Sequence, residues 1–167
     1  MKKWLIIALL FSAFSSFKRY PTNLIEARLL YQDAVNDQKS CERLIRISAN
    51  FNERDNPLMS GYNGCATMIM AKHVLNPFSK ISFFKRGKQI LEKAIAADER
   101  NIELRFLRFT VQTNTPSFLG YNMNIEEDKK LILDSFYELK DDSLKQFMLP
   151  VLRESKYLNM QQKLQLK

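Results

Sequence analysis

Beyond residue 21 the apolar residues of this chain recur at spacings of three and four, the period of a helix face rather than of a strand. Leu24, Ala27, Leu30, Tyr31 and Ala34 mark a first helix that Thr22 or Asn23 is placed to cap. Ser40 is placed to cap a second, which carries Leu44, Ile45, Ile47, Ser48 and Phe51. The polar run 52–57 reads as a turn, and a third helix, dense in small residues and methionines, is predicted from Leu58 to Val74. Asn76-Pro77 ends it, because the residue before a proline disfavours helix. The fourth helix, from about Ser79 to Asp98, is the most clearly two-sided. Phe84, Gly87, Leu91, Ala94 and Ile95 share one face, flanked by Phe83, Ile90 and Ala97, with Lys85, Lys88, Glu92 and Glu99 opposite. A fifth helix is predicted over 102–113, broken by Thr115-Pro116. After the loop 114–124, Asn124 is placed to cap a helix whose first turn holds Glu126, Glu127 and Asp128, the sign the helix dipole favours. Another helix starts at Asp142-Ser143, strained at Pro150, and Asn159 with Gln162 has the spacing of a capping box for a last short helix.

Composition agrees with that pattern. A chain of 167 residues is ordinary for one domain, and 46% hydrophobic against 26% charged residues is enough to bury a core. Only 4 Gly and 5 Pro is scarce punctuation for an all-β chain that must turn every ten residues or so.

The first residues have the form of an export signal. Lys2 and Lys3 precede an uncharged apolar run from Trp4 to Phe14, and Ala13 and Ser15 have the small-residue spacing that signal peptidase accepts, placing cleavage after Ser15 or Ser16. The run is shorter than the roughly 18 residues of a spanning helix, and no cysteine follows it to carry a lipid anchor. The structural alternative is a buried N-terminal helix. The expected organisation is a signal peptide over 1–16 and a single helical domain over 17–167, in a protein exported to the periplasm or the extracellular space. The net charge of +8 loses two positive charges with the leader, and outside the cell it points to an anionic surface rather than to nucleic acid, or simply to solubility. Cys41 and Cys65 fall on consecutive predicted helices; they are candidates for a disulfide in an oxidising compartment, or for free buried thiols, since Cys65 sits between the small residues Gly64 and Ala66.

The segment from Gly87 to Val111 resembles the second helix, turn and following first helix of a tetratricopeptide repeat. Gly87, Leu91 and Ala94 match the small–large–small pattern, Glu99 stands where that family usually has proline, and Leu104, Leu107 and Val111 keep the packing spacing while Arg108 replaces a small residue. A fainter earlier copy uses Leu24, Ala27, Tyr31, Ser40, Leu44 and Ile47, with Arg28 again in place of a small residue. Ser40, Leu44 and Ile47 recur 47 residues later as Gly87, Leu91 and Ala94, against a regular repeat of about 34, and an insert around 76–83 lies within the excess. The resemblance covers roughly two thirds of the chain beyond the leader. It implies an all-α fold: a right-handed stack of antiparallel helix hairpins, here with a C-terminal helical cap. The whole chain is also similar to exported bacterial helical proteins, a likeness that implies no activity.

Catalytic chemistry is sparse. His73 is the one histidine, too few for a His-rich metal site, and its place near a helix end is explained by the helix dipole. No motif joins it to Cys41 or Cys65 as a thiol–imidazole pair, and there is no phosphate-cradling glycine loop and no nucleophile elbow. Glu126, Glu127 and Asp128 are ordinary first-turn acids. No catalytic residue, cofactor or metal ligand is assigned. The repeat register places Arg105, Phe109 and Gln112, with Thr113 beside them, on the face that lines the groove of tetratricopeptide-like proteins, where an Arg–aromatic–amide stripe suits an acidic peptide. The plain alternative is a solvated face with Arg105 and Arg108 paired to nearby acids. Phe118 and Tyr121 in the long loop are further candidates for partner contact, or plugs for the end of the stack; Gly-Tyr-Asn occurs both at 61–63 and at 120–122. The basic-aromatic run from Phe78 to Lys88 suits weak contact with an anionic membrane, or core packing. The reading is a non-catalytic binding or scaffold module of the cell envelope that takes a protein or peptide in a helical groove. A small envelope hydrolase and a peripheral membrane protein are the alternatives.

Overall fold

The computed structural model describes residues 22–166; the signal peptide expected over 1–16, the stretch 17–21 and residue 167 lie outside the described residues. The described chain is all-α. Its helices are α1 (Thr22–Ala34), α2 (Gln38–Ser48), α3 (Pro57–His73), α4 (Pro77–Ala97), α5 (Ile102–Asn114), α6 (Ile125–Phe136), α7 (Asp142–Glu154) and α8 (Met160–Gln165), with a 3-10 turn at Ser117–Leu119. Among them none is long and apolar enough to cross a membrane.

Local chemistry fixes most of the boundaries. α2 begins earlier than a Ser40 cap would allow, because the Asp37 carboxylate accepts from the amides of Lys39 and Ser40 and satisfies first-turn donors itself. Asn76 and Pro77 both end one helix and start the next: Pro77 sits in the first turn of α4, where its missing N–H costs nothing, and the Asn76 side chain caps. α7 continues through Pro150 to Glu154. Asn159 and Gln162 form the capping box of α8. Asn124 precedes α6 but its side chain caps nothing; it accepts instead from Gln112 Nε2 at 3.2 Å.

Consecutive helices pack against one another from α1 through α6, and α1–α3, α3–α5 and α5–α7 are also in contact. The most extensive contact is α3 with α4. Glycine makes it possible. A Cβ on Gly87 would lie 2.4 Å from the Gly64 carbonyl oxygen, and one on Gly64 would lie 2.6 Å from the Leu91 nitrogen, so the two backbones touch where side chains are absent. Of the other members of the expected α4 face, Leu91, Ala94 and Ile95 are buried with it and Phe84 is half-buried.

α5 is the organising element. Its Leu104 and Leu107 join Leu44, Tyr62, Cys65 and Leu91 in one core, while Phe106 and Phe109 join Ile132, Phe136, Phe147 and Leu152 from α6 and α7 in another. Every residue from Glu103 to Thr110 is buried, so this helix has no wet face over those two turns. It nevertheless carries Glu103, Arg105 and Arg108 there, and burying a charge is costly unless it is paired and hydrogen-bonded.

Candidate functional site

Those charges are met from outside α5. The Arg28 guanidinium of α1 grips Glu103 bidentately, at 2.8 and 2.7 Å. Glu103 also accepts from the Tyr62 hydroxyl of α3 at 2.5 Å, and Arg28 reaches on to Asp141 at 3.0 Å and to Ser143 Oγ, both at the start of α7. One guanidinium thus fastens α1 to α5 and α7. Burial disfavours the Arg28 charge, but Glu103 and then Asp141 outweigh it and hold its pKa above the ordinary value. Asp141, whose ionised form burial also opposes, is held below the usual carboxylate range by Ser143 and Arg28.

The second network joins α5 to α6 and α4. Arg108 donates to both oxygens of Asp128, at 2.7 and 2.8 Å, and to Glu92 at 3.0 Å. Arg105 pairs with Glu127 and brings its Nε within 3.0 Å of Asp128, without hydrogen-bond geometry for that atom. Burial pushes the fully buried Asp128 carboxyl up, against the pull of Arg108 and Arg105. The Tyr121 hydroxyl donates to Glu92, closing the network against the loop that follows α5.

The six residues expected to meet a partner therefore fall in different places. Arg105 and Gln112 are buried and spent within the fold, Gln112 on Asn124. Phe109 is 0% exposed in the α5–α7 core, and half-buried Thr113 donates to its own helix at the Phe109 carbonyl. Tyr121 is buried, edge-on to Phe84 and under the Lys88 ammonium. Only Phe118 stands open, at 84% exposure. The acid pairing weighed for Arg105 and Arg108 is present, but inside the protein rather than on a solvated face.

The open space lies on another side of α5. A cavity of about 740 Å3 is bounded by Tyr31 of α1 and Val35 just after it, Met68 and Ile69 of α3, Ile81 and Phe84 of α4, Phe106 and Val111 of α5, Phe118 and Leu119 of the 3-10 turn, and Phe147 and Val151 of α7. Its floor is built from packed rings: Phe147 meets Phe106 and Tyr31 edge-on at 5.4 and 6.1 Å, and Tyr31 meets Tyr62 at 5.9 Å. Four exposed apolar residues, Val35, Ile81, Phe118 and Val151, converge on its rim. Scattered exposed apolar side chains need no explanation, but these four are gathered around one concavity. The basic-aromatic stretch at the start of α4 contributes Lys80, Ile81 and Phe84 to it.

The two thiols and the one imidazole lie away from this wall. Cys41 and Cys65 are buried free thiols; burial pushes Cys41 up to about 12 and Cys65 higher, and Cys41 donates to the Ala66 carbonyl. The His73 Nε2 lies 2.7 Å from the Ala34 carbonyl, which can only accept, so the ring is fastened across the end of α1. Among the described residues no three His, Cys, Asp or Glu side chains gather as a metal site would require. No protein-family model matches the chain, and no curated protein and no solved structure matches it.

Proposed function

We propose that this protein is a non-catalytic binding module of the cell envelope, a tetratricopeptide-like stack of helix hairpins that holds an apolar ligand in the cavity between α1, α3, α4, α5 and α7. The observation that carries the reading is the cavity itself. Its volume of about 740 Å3 falls within the roughly 300–1,000 Å3 of small-molecule sites, and its wall is predominantly apolar and aromatic. The stacked-hairpin reading draws support from contacts between sequential helices and between α1 and α3 and α3 and α5, with Gly87 at the tightest crossing. The envelope location rests on the basic-apolar-small order of residues 2–16. The site is moved away from the Arg105–Gln112 stripe because that stripe is already occupied by the protein's own groups.

The test is a titration of the full chain with N-phenyl-1-naphthylamine, a neutral fluorophore that brightens in apolar surroundings. Saturable binding is expected, and Ala71→Trp, which places an indole in the cavity from α3, should weaken it at least ten-fold while leaving the thermal transition in place. Absence of saturable binding, or equal binding by the folded Ala71→Trp protein, overturns the reading.

A further inference from the structure

We propose that the ligand of this cavity is a single-chain amphiphile with an anionic head, of the fatty-acid class, its chain against the Phe106–Phe147 floor and its head between Lys72 and Lys80. The inference rests on the cavity being a binding site and adds the chemistry of what fills it. The charges on the wall are of one sign: Lys72 and Lys80 line it, and no carboxylate does. Both come from the α3–α4 corner. Lys72 is in the last turn of α3 and Lys80 in the first turn of α4, joined through a connection of only residues 74–76. Both lysines are exposed, and among the described residues neither forms an ion pair with an acid of the chain, so an incoming anion meets them uncommitted.

The rest of the wall argues against a peptide. An extended backbone brings a donor and an acceptor at nearly every residue, and burying them unmet is costly. Of the polar side chains on the wall, exposed Gln32 stands at the rim, and four others are engaged within the fold. The Tyr31 hydroxyl bonds Thr110 Oγ1 at 2.5 Å, and Thr110 donates to the Leu107 carbonyl at 2.8 Å. Asn114 donates to the Thr110 carbonyl at 2.8 Å and Thr115 to the Val111 carbonyl at 2.7 Å. A hydrocarbon chain asks nothing of such a wall, and each methylene moved out of water contributes about 0.8 kcal/mol.

The experiment is displacement of N-phenyl-1-naphthylamine from the full chain by laurate and by dodecanol, which share a chain and differ in the head. At low salt laurate should compete roughly five-fold better, the effect of two partly solvated ion pairs. The laurate-to-dodecanol ratio, taken within each protein, should fall to about one in the Lys72→Gln/Lys80→Gln variant and shrink for the native chain at high salt. Equal competition by the two ligands, or a preference that survives in the double variant, overturns the anionic-head inference and leaves the apolar cavity standing. Failure of the fluorophore to bind at all overturns the cavity reading itself.

Discussion

Adding one methyl group at residue 87 tests the packing on which the whole architecture depends. In an exposed helix, glycine to alanine stabilises by about 1 kcal/mol because alanine is the better helix former. At Gly87 the new Cβ would stand 2.4 Å from the Gly64 carbonyl oxygen and 2.6 Å from the Met68 nitrogen, where real Cβ contacts do not fall below 3.0 Å. These are backbone atoms of α3, so no side-chain rotation relieves the clash, and the helices must separate. Overpacking of this kind costs about 1–3 kcal/mol, occasionally more, and with a backbone obstruction the upper end applies. Set against the gain in helix propensity, the expected net loss is about 2 kcal/mol, or roughly 4–8 °C in melting temperature for a domain of this size. Gly64→Ala should behave similarly, since its Cβ meets the Leu91 nitrogen at 2.6 Å and the Gly87 oxygen at 2.8 Å. The two variants share one gap, so the double change should cost less than their sum. Gly61→Ala, whose Cβ meets only the tip of the Leu104 side chain, should cost less than either. Thermal melts followed by far-ultraviolet circular dichroism read all four. A Gly87→Ala protein as stable as the native chain, or more so, would mean that propensity decides and that α3 and α4 do not touch there.

Two further outcomes follow from the buried groups. Asp128→Ala leaves Arg105 and Arg108 without their shared buried carboxylate and should destabilise by about 3–5 kcal/mol in urea unfolding. Lys130→Gln, at an ion pair with Asp134 in which both side chains are mostly exposed, should leave the urea midpoint essentially unchanged, and a similar loss at both sites would refute the burial argument. Cys41 and Cys65, buried and with their thiols held protonated well above neutral pH, should resist iodoacetamide at pH ~8 in the native protein and react on denaturation, read by intact mass.

The sequence made the helices legible and concealed what the central one does. Three-four periodicity and the Asn-Pro and Asn–Gln signals are local, and residues that carry them behave accordingly: the face of Gly87, Leu91, Ala94 and Ile95 is buried, and Asn159 forms its box with Gln162. Where a boundary was misplaced, a nearby competitor took the role, as Asp37 did from Ser40. Asn124 was drawn from capping α6 to Gln112, which is distant in sequence but adjacent in space. The site was harder because a charged residue at helical spacing signals water only if the helix has a wet side, and α5 has none over 103–110. Its partners sit 75 residues away at Arg28 and 20 away at Asp128, beyond any local rule. Arg28 and Arg108 are the very positions at which the repeat pattern asks for a small residue. At both positions the guanidinium instead ion-pairs with other helices, Arg28 with α5 and the start of α7 and Arg108 with α6 and α4. The cavity is the converse case. Ile81, Phe84 and Val111 read as packing positions on sound helical faces, and their apolarity is real. Periodicity states that a face is greasy; whether another element covers it depends on how many helices the chain has and where they go. Here the faces of five helices converge and no sixth described element fills the space between them, which is why the feature best suited to binding was hidden among residues that looked like ordinary core.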